Sequence, residues 1–186
     1  MRVNLGVHPF TYPQPVYIIG TYDENGHPNA MNAAWGMISD MDKITICLSA
    51  MHKTTNNLLK TNAFTVSIGT VDTVLSCDYV GVISGNSYAN KFEDSGFTQV
   101  KSEFVNAPII QELPMCLECT VLKYDKDTEL LTGSIKNVSC DDAYMTNGKI
   151  DPSLLKPIAF DPVNMKYLEL GNAVGNAFKD GRKLIK

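Results

Sequence analysis

The chain has little of what most catalytic signatures need. Its three histidines, His8, His27 and His52, are scattered and never spaced as H-x-x-x-H, so a zinc site lacks its usual ligand pattern. None of G-x-x-x-x-G-K-[ST], G-x-G-x-x-G or G-x-S-x-G occurs, which removes the fingerprints of P-loop hydrolysis, a Rossmann dinucleotide fold and an α/β-hydrolase. Basic residues are not in excess: 16 Lys and Arg stand against 20 Asp and Glu, a net charge of −4. Without clustered cations, binding to nucleic acid through its phosphates is excluded as a reading. No run of about 18 apolar residues exists, and the opening MRVNLGVHPFTYP lacks the apolar centre of a signal peptide. The expectation is a cytoplasmic protein with neither a membrane nor a nucleic-acid partner.

Cysteine is present in an odd count of five, Cys47, Cys77, Cys116, Cys119 and Cys140. In a reducing compartment such residues act as small buried hydrophobes. Cys116 and Cys119 form a C-x-x-C, but within MCLECTVLKY, an extended pattern in which residues three apart face opposite sides. A redox dithiol sits instead at a helix start, which lowers a thiol pKa. A structural role is therefore expected for this pair, and no metal site.

What is there is an ordinary globular composition, 44% hydrophobic and 19% charged over 186 residues, enough for one domain spanning 1–186. After a segment broken by Pro9, Pro13 and Pro15, Val16 to Tyr22 reads as a strand apolar on both faces. Asp23-Glu24-Asn25-Gly26 is a turn, and Asn29 to Gly36 completes a hairpin. Ala30, Ala33, Ala34 and Gly36 carry almost no bulk, which predicts that something else fills the space beside them.

Lys43 to Leu48 is a third strand, followed by a short helix with Thr54 or Thr55 as N-cap and Leu58 and Leu59 facing inward. Phe64 to Ile68 is a strand. A second helix is predicted from Asp72 or Thr73 to about Val80, with Val74, Leu75 and Cys77 buried. Gly81 to Gly96, rich in Gly, Ser and Asn, reads as a functional loop with a helical turn at Lys91 to Asp94. Phe97 to Lys101 is a short strand, Pro108 to Pro114 a connector, and Met115 to Tyr124 with Leu130 to Cys140 a long hairpin. Pro157 to Phe160 and Met165 to Leu170 are two last strands. Many short strands, few helices and no β–α–β alternation predict a mainly β fold, an antiparallel β-barrel with minor helices.

The junction at His52, Lys53, Thr54 and Thr55 carries the sharpest chemical signal. A helix start leaves N–H groups unpaired and partially positive, so a lysine and two hydroxyls there can seat a phosphate. The plainer reading is that the threonines only cap a helix, Lys53 is a solvated charge and His52 a loop residue. Trp35, the sole tryptophan, reads by type as core before cofactor partner.

The succession PNAMNAAW, HKTTNNLLKTNAFTVSI and SGNSYANKFEDSGF resembles the flavin reductase-like domain family, the FMN-binding split β-barrels that include flavoredoxin, over about Val7 to Phe178. The resemblance implies an FMN-binding split barrel acting as a homodimer. It places the flavin beside Asn29, Ala30, Met31, Asn32, Ala33, Ala34 and Trp35. It places the phosphate on Ser49 to Asn57, with Ser49, His52, Lys53, Thr54, Thr55 and Asn57 on that side, and a second contact at Asn90 and Lys91. Small residues would let a flat ring approach the backbone, and Asn side chains match an edge bearing donors and acceptors. The implied activity is an FMN-dependent oxidoreductase passing electrons from NADH, NADPH or a redox partner to an acceptor. No side chain is singled out as catalytic. Two alternatives stay open: an FMN-binding electron carrier with little turnover, and a pyridoxamine-phosphate-oxidase-type enzyme, for which further basic residues are not evident.

Overall fold

The computed structural model describes residues 1–185, and every strand pairing within them is antiparallel. In chain order the first half holds β1 (Gln14–Pro15), β2 (Tyr17–Tyr22), β3 (Pro28–Ala33), β4 (Gly36–Asp40), β5 (Lys43–Cys47), α1 (Lys53–Thr61), β6 (Ala63–Ile68), α2 (Val74–Val82) and α3 (Lys91–Asp94). The second half holds β7 (Gln99–Lys101), β8 (Pro108–Ile110), β9 (Met115–Asp125), β10 (Leu130–Cys140), β11 (Met145–Thr146), β12 (Lys149–Ile150), α4 (Pro152–Leu155), β13 (Ile158–Asp161) and β14 (Lys166–Glu169).

Seven strands form one sheet in the order β3-β2-β6-β9-β10-β5-β4, curled into a half-barrel. β3 and β4 are its two edges although only Ala34 and Trp35 separate them in the chain. β1-β13-β14 form a second, separately paired sheet. The β9–β10 hairpin carries register shifts at Thr132/Gly133 and Ile135/Asn137, bulges that increase twist and help the sheet curl.

β2 shows why both of its faces are apolar. Ile19 enters a core with Ile44, Ile46, Leu48, Leu58, Phe64, Val66 and Leu131, the concave side of the sheet. Ile18, its neighbour, enters a second core with Ala30, Cys77, Val80, Phe92 and Phe97, where α2 and α3 pack on the opposite side. Glu118 on β9 is buried but satisfied: Ser102 Oγ donates to one of its carboxylate oxygens and Asn137 Nδ2 to the other at 2.7 Å.

Several expectations change. The predicted strand Asn29 to Gly36 ends at Ala33, and Gly36 opens a separate strand, β4, paired with β5. The α1 N-cap is His52, which leaves Thr54 and Thr55 inside the first turn. Leu58 is buried but Leu59 is exposed, because consecutive residues on a helix cannot share a face. Leu75 is exposed while Cys77 is buried, because residues two apart on a helix point to nearly opposite sides. α2 starts from Thr73 as expected and runs on to Val82. The proline-rich segment contributes β1, and the connector contributes β8, paired with β7.

The five cysteines are free, and burial pushes the Cys116 and Cys119 thiols up to about 12, so neither is a ready thiolate. Among the described residues no cluster of His, Cys, Asp and Glu could hold a metal, and no helix is long and apolar enough to cross a membrane.

Gly133 lies under the Phe64 ring, and a Cβ there would collide with the ring edge. Phe64 is fully buried and cannot swing aside freely. Gly133→Ala is expected to lower stability by about 1–3 kcal/mol, read as a reduced urea midpoint at unchanged slope; an unchanged midpoint would show that the ring has room.

Candidate functional site

The site is built where three helices meet the edge strand β3. Its residues alternate in direction: Met31 and Ala33 belong with the concave core and Ala30 with the helical one. Asn29 is buried at the start of α1, where its Nδ2 donates to Thr54 Oγ1 at 2.7 Å. Because Thr54 accepts this bond, its own hydroxyl proton is left to donate.

α1 begins without a side-chain cap, and no acidic residue lies in its first turn. The N–H groups of Lys53, Thr54 and Thr55 therefore have no intrahelical acceptor and present partial positive charge. From the end of α2 the chain turns through Ile83 to Gly85 and meets this helix start. A Cβ at Gly85 would run into Asn29 Oδ1 and lie 3.2 Å from Lys53 Cδ. Asn86 Nδ2 donates to Met51 O at 2.9 Å, tying the turn to the segment before α1.

Lys91, first residue of α3, is 4% exposed. No carboxylate lies within ion-pair distance of it among the described residues, and burial alone pushes its ammonium down to about 8. A buried cation without a partner is costly unless a ligand supplies the counter-charge.

These parts line one open cleft, formed by Asn29, Met31, Asn32, His52, Lys53, Thr54, Lys91 and Val80 to Gly85. No carboxylate is among its lining residues. Two ammonium groups, an uncapped helix start and a hydroxyl make it a seat for an anion of the phosphate class, with Asn29 and Asn32 supplying neutral polar contacts.

Other residues singled out from the sequence lie elsewhere. Ala30 and Ala33 are buried in the two cores, so protein side chains fill the space beside them. Ala34 and Trp35 line a different groove, with Phe10 and Pro13; Trp35 is 58% exposed and no part of a core. Thr55 is buried and donates its hydroxyl to Ser49 O at 2.7 Å, while Asn57 Nδ2 reaches Thr21 Oγ1 at 3.2 Å. Ser49 Oγ donates to Glu129 Oε1 at 2.9 Å, which also accepts from Ala50 N. Thr55 and Ser49 brace the loop before α1, and Asn57 ties α1 to β2. Asn90 is exposed at the N-cap of α3. The sequence does not single out Val80 to Gly85 one by one; the signal it offers is Gly81 and Gly85, where a side chain would crowd Asn32 and Asn29.

A curled antiparallel half-barrel whose edge strand faces an uncapped helix start defines a split-barrel protein. The pattern of the flavin reductase like domain matches residues 10–156, and the chain belongs to that family. Flavoredoxin of Desulfovibrio vulgaris (Miyazaki F) is similar at 33% identity, covering 97% of this chain and 100% of that one, with a TM-score of 0.93. Flavoredoxin from Methanosarcina acetivorans shares the fold at 23% identity, covering 100% and 98%, with a TM-score of 0.87. An FMN-binding domain of a flavin reductases-like enzyme from Shewanella baltica does so at 19% identity, covering 88% and 89%, with a TM-score of 0.79. The family resemblance and the split-barrel fold read from the sequence are thereby established.

The Lys91 ammonium, held at about 8 in the fold against an ordinary 10.5, leaves the unfolded chain with the extra proton between those values. Its cost is full below about pH 8 and falls away as pH rises through the window, so stability of the ligand-free protein gains there. Lys91→Met should remove that gain. Urea midpoints of both proteins at about pH 7 and 9.5 test it, with wild type expected to rise relative to the variant; parallel movement would mean that Lys91 is not desolvated.

Proposed function

We propose that the protein is an FMN-binding oxidoreductase that passes electrons from NADH, NADPH or a redox partner through bound FMN to an acceptor. One observation carries this reading: in a chain of the flavin reductase-like family, the uncapped start of α1 and the buried, unpartnered Lys91 converge on one cleft without a carboxylate. The residues present fit a flavin mononucleotide, whose phosphate needs the charge that the cleft concentrates.

Lys53, the Thr54 hydroxyl and the α1 N–H groups would hold the phosphate by charge-assisted hydrogen bonds. Asn29 keeps Thr54 oriented through their mutual bond. Asn32 and the backbone of β3 offer the polar contacts a ring edge requires. Lys91 would add positive charge to the cleft that holds the anionic cofactor, and burial strengthens its effect. The flavin, when bound, supplies the electron-transfer chemistry, and no covalent catalyst is required of the protein. The free cysteines suit a reducing compartment such as the cytoplasm.

Titration with FMN, followed by flavin fluorescence and thermal melting, tests the reading. Saturable binding with a raised melting temperature is expected, and Lys53→Ala with Thr54→Ala should weaken it by about tenfold or more with circular dichroism unchanged. Absence of binding by wild type overturns the proposal. Anaerobic mixing of the loaded protein with NADH or NADPH then separates a reductase, whose flavin bleaches, from a carrier, whose flavin does not.

The same reading includes a homodimer. Trp35, Met37, Ile38 and Met41 are exposed along the edge strand β4 and its ends. Met37 and Ile38 adjoin Tyr17, Ile68 and Leu170 in an apolar groove. An uncovered edge strand bearing large apolar side chains is an aggregation hazard that a second copy would remove. Wild type is expected to scatter light as a dimer and Met37→Glu with Ile38→Lys as a monomer; a monomeric wild type would exclude this part.

A further inference from the structure

Behind the wall of the cleft lies a polar relay that phosphate binding does not use. Asn32 on β3 donates through Nδ2 to Cys77 O at 3.1 Å and to Tyr167 Oη at 3.3 Å. Tyr167 on β14 donates its hydroxyl proton to Asp78 Oδ1 at 2.8 Å. Three elements that are distant in the chain, β3, α2 and β14, are thus joined by one line of hydrogen bonds. The Tyr167 ring is further fixed against Phe160, at 6.2 Å between centroids.

The direction of the relay follows from the groups themselves. An ionised carboxylate only accepts, so the phenol proton points at Asp78 and a phenol lone pair is left for Asn32. Burial, reinforced by the hydrogen bond to Asp78, pushes the Tyr167 phenol well above its ordinary value, so it keeps that proton. Both amide hydrogens of Asn32 are then committed to the protein, one to a carbonyl and one to the phenol oxygen. Turning the amide over would set Oδ1 against the Cys77 carbonyl, acceptor against acceptor, and leave the phenol lone pair without a donor.

What remains of Asn32 for a ligand is its carbonyl oxygen. Oδ1 accepts no hydrogen bond among the described residues, and it is not one of the side-chain atoms sealed from solvent without a partner. The residue itself lines the cleft, with Gly81 packed so close that a Cβ there would lie 3.1 Å from Asn32 Cβ.

We infer that Tyr167 and Asp78 are positioning residues that fix Asn32 as a hydrogen-bond acceptor toward the cleft, so that the site selects a cofactor group bearing N–H or O–H at that point. The inference rests on the reading that the cleft takes FMN, which carries both kinds of donor, an imide N–H on its ring and hydroxyls on its ribityl chain. An edge offering only acceptors would face the Asn32 lone pairs unpaired, which costs affinity. Neither Tyr167 nor Asp78 lines the cleft; both act through Asn32.

A double-mutant cycle read by FMN affinity tests the inference. Tyr167→Phe keeps the ring and removes only the hydroxyl, and it should weaken FMN binding by about fivefold. Asn32→Ala should weaken it by about tenfold. In the Asn32→Ala background, Tyr167→Phe should cause no further loss, because its only route to the ligand is gone. A purely structural tyrosine would give losses that multiply, which overturns the inference, as does an unchanged affinity for Tyr167→Phe alone. If Tyr167→Phe fails to fold, Asp78→Ala, on the exposed side of α2, carries the same cycle. A readout without ligand is the exchange of the Asn32 side-chain amide protons in ¹⁵N spectra, expected to be slow in wild type and faster in Tyr167→Phe; equal rates overturn the positioning role. Wild type that binds no FMN overturns the proposed function and this inference together, whereas wild type that binds FMN but shows no coupling overturns the inference alone.

Discussion

β3 is at once the edge of the main sheet and the wall between two cores, and the rest of the molecule is arranged around that double duty. Met31 and Ala33 pack toward the concave core, and Ala30 packs among Cys77, Val80 and Phe92 on the other side. A larger side chain at Ala30, which is fully buried, would push α2 and α3 away from the sheet. The low bulk of this strand thus serves packing first. Because the helices are drawn in so closely, the start of α1, the end of α2 and the start of α3 all converge on it, and the cleft is the space where their ends fail to meet.

That convergence concentrates two unfavourable features in one place. A helix whose N-cap side chain makes no hydrogen bond forgoes about 1 kcal/mol, and α1 is such a helix. Lys91 is buried without a counter-charge among the described residues, and its lowered pKa follows from desolvation. Either feature alone would be a local irregularity. Their meeting in a cleft lined by Lys53 and the Thr54 hydroxyl, with no acidic residue, is the pattern of a site that trades stability for an anion.

The strands were legible because their signals are local. The β9–β10 hairpin and β2, β5 and β6 stand within a residue or two of where alternation and turn residues put them. The helix faces were less so: Leu59 and Leu75 are apolar yet exposed, since composition counts apolar residues but only geometry assigns them a side. The separate strand β4 was hidden because nothing in AAWGMISD marks the point where one sheet edge ends and the other begins. At the site, Asn29, Asn32, Lys53, Thr54 and Lys91, which the sequence already singles out, are found together. For Lys91 the physics was not visible in the sequence, because a lysine opening a four-residue helix reads as solvated until α3 is seen packed against β3. For Trp35 residue type alone points to a core, whereas the side chain is exposed beside the β4 edge.

The glycine-rich segment that starts in the last turn of α2 gains a different meaning in the fold. Gly, Ser and Asn in succession suggest mobility, yet the two glycines that line the cleft each stand against an asparagine. Gly81 lies on Asn32 and Gly85 on Asn29, at distances that leave no room for a methyl group without displacement. Each asparagine is also held by a hydrogen bond to a neighbouring element, Asn29 to Thr54 and Asn32 to Cys77 and Tyr167. Glycine here permits close approach of backbone to side chain, and close approach immobilises the polar atoms that face the cleft. A ligand arriving there need not order those groups itself, so less of its binding energy is lost to side-chain entropy. The same residues that make the segment look flexible as a sequence make the site stiff as a structure.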